Sequence, residues 1–167
     1  MKKIIIAVVS LSIWWALDGC SGKRIDFVRT VEFPSGNWPR EEVPSFTYRP
    51  AEDGNKDFYI YLANTDDYPY SNIYLIVRTD KNGKLFVDTL EYEMADGRGR
   101  WLGVKTRNEY ENLLVFKWNV PVKKDEQMKF EIEQATRKNE NLEGDAYLPG
   151  IRRVGIMIKP HHSSSTK

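Results

Sequence analysis

The sequence predicts an all-β protein, a β-sandwich of about eight strands with a jelly-roll-like arrangement. Short segments in which apolar residues alternate with polar ones recur along the chain, as half-buried strands require. Aromatic residues make up 13% of the 167 residues, and hardly any stretch has the spacing of an amphipathic helix. Regularly spaced short strands favour a sandwich, and a β-barrel is the lesser alternative.

The predicted strands follow one another and are separated by polar connections. The strand over residues 58–62 places Phe58, Ile60 and Leu62 on one face, and its two tyrosines on the other face predict cover on both sides. The strands are predicted at residues 25–33, 45–49, 58–62, 73–80, 86–92, 114–120, 128–132 and 154–158.

The clearest local signal is a β-hairpin centred on Asn82-Gly83. This dipeptide suits a two-residue turn with positive φ, and the flanking segments both alternate. One face of the hairpin is then apolar except for Asp88, so a slip of one residue would expose the apolar set. The turn predicts the pairs Thr79–Phe86, Val77–Asp88, Leu75–Leu90 and Ile73–Tyr92.

Three segments fit no strand. Residues 106–112 could form a helical turn or two, although they are too polar and too short to be stable alone. Residues 137–145 form a long polar connection. The C-terminal end, residues 161–167, is predicted to be a disordered tail because it has nothing to bury, so His161 and His162 are expected to have no structured partner.

The first residues have the pattern of a secretory signal. Met1-Lys2-Lys3 is followed by an apolar run, and Leu17-Asp18-Gly19-Cys20 ends it. A small residue directly before Cys resembles the bacterial lipobox, in which the Cys is acylated and becomes the first residue of the mature protein. An uncleaved N-terminal anchor with an incidental Cys is the alternative. The predicted organisation is signal peptide 1–19, lipidated Cys20 with a linker to 24, domain 25–160 and tail 161–167.

Composition and motifs exclude several classes of function. The chain has 25 basic and 24 acidic residues, so it lacks the basic surface that nucleic acid requires. A single Cys excludes an internal disulfide and a Cys-rich zinc site. No nucleotide-binding, nucleophile-elbow or metalloprotease motif occurs, so no catalytic residue, cofactor or metal is predicted. Paired carboxylates acting on a glycan would be the one remaining enzymatic option.

The candidate binding residues lie around two loops rich in aromatic and charged side chains. The aromatic residues could stack on a sugar, anchor a protein partner or cap the core. Oxygen donors in the first loop could bind calcium, but turn chemistry explains them better because no ligand-loop spacing is satisfied. The candidates are Asn64, Asp66, Asp67, Tyr68, Tyr70, Arg98, Trp101 and Arg137.

Several motifs resemble the gliding-motility lipoprotein family GldH of Bacteroidota. The longest is Asn-Thr-Asp-Asp-Tyr-Pro-Tyr-Ser-Asn at residues 64–72. Others lie at 88–96, 101–103, 137–139 and 148–151, and the lipobox-like start adds to them. The resemblance implies a cell-envelope lipoprotein needed for surface gliding and associated with the type IX secretion apparatus. It offers no catalytic residues.

The sequence thus predicts a lipid-anchored envelope protein, on the periplasmic face of the outer membrane rather than the inner membrane. It would act by binding other gliding and secretion proteins. A module that binds peptidoglycan or polysaccharide is the alternative function.

Overall fold

The computed structural model describes residues 24–136 and 146–162. Over these residues the chain forms eleven β-strands. They are β1 Phe27–Glu32, β2 Asn37–Pro39, β3 Ser45–Tyr48, β4 Gly54–Asn64, β5 Asn72–Lys81, β6 Lys84–Glu93, β7 Val104–Thr106, β8 Glu109–Val122, β9 Met128–Gln134, β10 Tyr147–Pro149 and β11 Ile151–Pro160.

The strands form two main antiparallel sheets that pack face to face. One has the order β1-β11-β4-β8-β7 and the other β3-β9-β5-β6, while β2 and β10 make a small separate pair. Apolar side chains from both sheets form one core, in which the rings of Phe58 on β4 and Phe130 on β9 lie 5.7 Å apart. The predicted all-β sandwich is confirmed, because the alternating pattern gives each sheet an apolar face that only the other sheet can cover.

The eight predicted strands correspond to β1, β3, β4, β5, β6, β8, β9 and β11. The three further strands, β2, β7 and β10, have three residues each. Strands this short show no alternation, so the sequence pattern does not reveal them. The predicted helical turn over residues 106–112 is wrong, because β7 and β8 form a tight hairpin there in which Thr106 pairs with Glu109.

The hairpin of β5 and β6 has the predicted register. Asn82 and Gly83 have φ values of 52° and 83°, as the turn requires. The burial of its apolar face is uneven, however. Ile73, Leu75 and Val77 on β5 are fully buried, whereas β6 is an edge strand whose residues are half-buried or exposed.

Tyr59 and Tyr61 lie on the outer face of β4 and are half-buried. Cationic side chains from β11 cover it: Lys159 Nζ lies 5.1 Å from the Tyr59 ring and the Arg153 guanidinium 5.7 Å from the Tyr61 ring. The predicted cover on this face therefore comes from long side chains, whose cationic groups lie over the tyrosine rings.

His161 contradicts the expectation that neither tail histidine has a structured partner. Its backbone N–H donates to the Asn55 carbonyl, and its Nδ1 lies 2.8 Å from Asp57 Oδ1. Its ring also meets Trp118 edge to face at 5.4 Å. Because β11 extends to Pro160, the next residue, His161, lies beside the buried carboxylate of Asp57. Residues 163–167 lie outside the described residues.

The sandwich has two ends. We call the end with the Asn82-Gly83 turn and residues 123–127 the turn end, and the chain enters β1 at this end. The opposite end, with residues 65–71, residues 94–103 and the turn between β7 and β8, is the loop end.

Candidate functional site

Asn64 lies at the end of β4 and is completely buried. Its side-chain oxygen accepts a hydrogen bond from Asn112 Nδ2 at 2.9 Å, and Asn112 also donates to the backbone carbonyls of Leu62 and Tyr110. A buried amide needs such partners because water cannot reach it. Asn64 therefore fixes the start of the loop and lies beneath its surface.

The loop over residues 65–71 packs closely against Gly150, which lies between β10 and β11. The Thr65 N–H donates to the Gly150 carbonyl at 2.8 Å. Gly150 has φ of +77°, and a Cβ added there would lie 2.2 Å from the backbone nitrogen of Tyr68. Only glycine allows this approach of two backbones.

Tyr68 is part of the core, with 2% of its surface exposed. Its hydroxyl donates to the Asn72 carbonyl at 2.8 Å, and its ring meets those of Tyr70 and Trp101 at centroid distances of 5.7 and 6.1 Å. The aromatic cluster thus closes the end of the sandwich, and the half-buried Tyr70 and Trp101 are the members that reach its surface.

Trp101 joins the two candidate loops. Its indole N–H donates to Asp66 Oδ1 at 2.9 Å, and its ring packs 5.9 Å from that of Tyr110 on β8. The structure therefore brings together residues 35 positions apart in the sequence, Asp66 and Trp101, as parts of one surface. Asp67 is exposed beside them and its backbone N–H bonds to the Thr65 hydroxyl.

The turn that precedes Trp101 is organised by Asp96. Its Oδ1 accepts from the backbone N–H groups of Arg98 and Arg100, and its Oδ2 pairs with the Arg100 guanidinium. These donors, the Arg100 N–H foremost, hold the pKa of Asp96 below its usual value because they favour the charged form. Arg98 itself is exposed at the tip of this turn.

A polar cavity of about 450 Å³ adjoins the first loop at Thr65. It is lined by Thr65, Thr106, Arg107, Asn108, Glu109, Arg152 and Arg153. Arg153 is paired with Glu109 and Glu111, and the Glu109 bond above all raises its pKa. Arg107 is exposed at the hairpin turn. Sequence reasoning missed this cavity because it considered residues 106–112 only as a segment that could form a helical turn or two; the tight hairpin is what directs these side chains together.

Some candidates cannot be placed or have no support from geometry. Cys20, residues 1–19 and Arg137 lie outside the described residues. Within residues 24–136 and 146–162 no three His, Cys, Asp or Glu side chains are grouped to hold a metal ion. In the same ranges no helix is long and apolar enough to cross a membrane.

The chain resembles two curated proteins from Bacteroidota. A gliding motility lipoprotein GldH homolog of Christiangramia forsetii is 39% identical over 104 residues, which is 62% of this chain and 64% of that protein. The gliding motility lipoprotein GldH of Flavobacterium johnsoniae is 32% identical over 147 residues, covering 86% of this chain and 89% of that protein. The chain thus spans somewhat less than two thirds of the first relative and most of the second.

Similarity to solved structures is weak. A structure of the infectious bursal disease virus Gx strain has a TM-score of 0.36 at 13% identity, covering 89% of this chain and 38% of that one. A structure of Eiger TNF from S. frugiperda has a TM-score of 0.32 at 8% identity, covering 84% and 90%. Family membership depends on sequence instead: the GldH lipoprotein family matches residues 27–158, nearly the whole described sandwich. The chain belongs to the GldH lipoprotein family.

Proposed function

We propose that this chain is a non-catalytic component of the gliding motility machinery associated with type IX secretion, and that it acts by binding a protein partner. Its family consists of lipoproteins, and its relatives are named for gliding motility, which makes it a lipid-anchored envelope protein. Acyl chains on Cys20, the only cysteine of the sequence, would hold it on the periplasmic face of the outer membrane.

The observation that carries the proposal is the joined surface at the loop end. We define the docking surface as Asp66, Trp101, Leu102, Val104 and Arg107. The hydrogen bond between Trp101 and Asp66 fixes the two loops relative to each other. Leu102 and Val104 follow within three residues of Trp101 and are 54% and 72% exposed. Exposed apolar side chains that follow a fixed aromatic anchor in the chain, together with charged groups, are typical of a protein contact site.

The carboxylates of the two candidate loops are better suited to structure than to acid–base chemistry. Asp66 accepts from Trp101, and both oxygens of Asp96 accept from the backbone or side chains of its own turn. The lowered pKa of Asp96 keeps it ionised, which is the opposite of what a general acid requires. These contacts support a binding role.

The test is crosslinking and partner capture from intact cells that express charge variants of the docking surface. Val104→Glu and Arg107→Glu change exposed residues, so the fold should persist, and we expect each to reduce recovery of the partner. Val115→Glu is the matched control, since Val115 is 51% exposed on the middle of β8, outside this surface. Recovery of the same partners by the Val104 and Arg107 variants would exclude this surface.

The polar cavity favours a second candidate function, the binding of envelope glycans. Its hydroxyl, amide and guanidinium groups suit the hydroxyls of a sugar, and Tyr110, whose ring packs against Trp101, directly follows the lining residue Glu109 in the chain. This alternative predicts saturable binding of peptidoglycan or polysaccharide fragments to the purified protein, weakened by Arg107→Ala. A purely protein-binding surface should show none.

A further inference from the structure

The point where the chain enters the sandwich determines which end can approach the membrane. Phe27 is the first residue of β1, and Cys20 lies seven residues before it. Seven residues span at most about 25 Å in any conformation. The opposite, loop end is further away by the length of β4, whose eleven residues extend over roughly 33 Å. A lipid anchor at Cys20 therefore keeps the turn end nearest to the membrane.

A cavity of about 380 Å³ opens at this end between β6 and β8. The strand register places this cavity level with the start of β1. In that register, one row across four adjacent strands contains Phe27, Ile158, Phe58 and Lys117. Phe58 lines the cavity and lies two strands from Phe27, which corresponds to roughly 10 Å. The cavity is thus close to the tether.

The cavity wall is mainly apolar. Its ten lining residues are Phe58, Thr79, Lys81, Phe86, Val87, Asp88, Phe116, Lys117, Val120 and Met128. It remains open because β6 is the edge of its sheet, and β7 pairs only with the first residues of β8. Neither edge is therefore covered beside the cavity mouth by another described strand.

The rim of the cavity combines apolar and basic side chains. Leu85, Phe86 and Val87 are consecutive in β6 and are 62%, 42% and 58% exposed. Lys84 extends its ammonium over the Phe86 ring at 5.0 Å and pairs with no acid among the described residues. Lys117 at the other side of the mouth is paired with Asp88. Apolar residues with lysines above them suit a lipid interface, where the alkyl stems lie against acyl chains and the ammonium groups reach phosphates.

We propose that the turn end rests on the membrane and that this cavity accommodates an acyl chain of a bilayer phospholipid, with Lys84 at the headgroup phosphate. The proposal depends on the lipid anchor of the proposed function, but not on its partner or docking surface. An edge strand of a partner protein pairing with β6 is the competing occupant, and the experiment below separates the two.

The experiment uses the mature acylated chain in vesicles of phosphatidylethanolamine and phosphatidylglycerol that contain a phospholipid with a photoreactive acyl chain. We expect lipid adducts on Leu85, Phe86, Phe116 or Met128 and none on Leu102 or Val104. Val120→Phe should fill the cavity and remove most adducts inside it. Val115→Phe, on the outward face of the same strand, is the matched control and should leave them unchanged.

Lys84→Gln gives a second measurement that does not depend on cavity packing, because Lys84 is exposed. We expect it to lower adduct yield about fivefold with phosphatidylglycerol present, as loss of one lysine at an anionic surface should, and little with neutral lipid alone. Adducts spread evenly over both ends, or insensitive to both Val120→Phe and Lys84→Gln, would overturn the proposal. So would crosslinks in cells from β6 to a second protein in place of lipid. Failure of partner capture at Val104 would leave these lipid results unaffected.

Discussion

The loop end and the turn end of this sandwich differ in how two sets of buried polar groups are paired. At the loop end, Asn112 makes three hydrogen bonds that fix Asn64 and the neighbouring backbone. At the turn end, the Thr79 hydroxyl and Asp88 Oδ2 are buried at the cavity wall with no hydrogen-bond partner among the described residues. The hydrogen bonds of Asn112 hold the start of the loop in one shape, whereas the cavity at the turn end leaves room for another molecule.

Substitution of Gly150 by alanine should have the largest effect. The added Cβ would lie 2.2 Å from the Tyr68 nitrogen at a φ of +77°, so both backbone strain and overpacking oppose it. We expect a loss of about 3 kcal/mol or more in the free energy of unfolding. Chemical denaturation followed by circular dichroism measures it.

Gly83→Ala is the matched control at the turn end. Gly83 also has a positive φ, but a Cβ there would have nothing within 4 Å. Gly83→Ala should lower the free energy of unfolding by about 1 kcal/mol, because only the backbone conformation opposes it. Equal losses for the two variants would show that the loop is not pressed onto Gly150.

The second prediction concerns the paired amides of the loop end. Asn112→Ala leaves Asn64 Oδ1 and the Leu62 carbonyl without their donor, so we expect a loss of about 2 kcal/mol. Asn55→Ala at the turn end also removes an Asn–Asn bond, to Asn119, but this bond is exposed and its loss should cost less than about 0.5 kcal/mol. A similar loss of unfolding free energy for Asn112→Ala and Asn55→Ala would show that the amide pair of the loop end is no more important for stability than that of the turn end.

These contacts also show where sequence reasoning succeeds and where it stops. The hairpin of β5 and β6 follows from Asn82-Gly83 and alternation, which are local signals. The close approach of the Tyr68 backbone to Gly150 joins residues 82 positions apart, so no local pattern contains it. The turn between β7 and β8 places Arg107 at a φ of 52°, where a glycine or asparagine would have signalled a hairpin.

The turn-end cavity could not be predicted for a related reason. The sequence assigns Phe86 and Asp88 to the apolar face of the hairpin, and their register is as expected. Whether that face is covered depends on the order of the strands, which leaves β6 at an edge. Alternation determines the side of a sheet on which a residue lies, but not its distance from the edge.

The third prediction is that replacing a buried threonine by valine changes the stability of the protein in opposite directions at the two ends. Thr79→Val replaces a buried, unpaired hydroxyl by a methyl group of the same shape, so the protein should become more stable by about 1 kcal/mol. At the loop end, Thr136 accepts the Tyr74 N–H at 3.0 Å and is 2% exposed. Thr136→Val should therefore destabilise by about 1–2 kcal/mol. Thermal unfolding of the two variants side by side measures both, and destabilisation by Thr79→Val would show that its hydroxyl is satisfied in solution.

The smallest effect is a pH dependence confined to the turn before Trp101. The pKa of Asp96 is lowered from 3.8, mainly because the Arg100 N–H donates to the carboxylate. The ordering that this carboxylate provides is thus complete above its unfolded pKa and is lost only as pH falls through the lower, folded pKa. We expect the amide resonances of Arg98 and Arg100 to titrate together below pH 3.8 in NMR spectra, and not to titrate in Asp96→Asn. A midpoint at or above 3.8 would mean that these hydrogen bonds do not persist in solution.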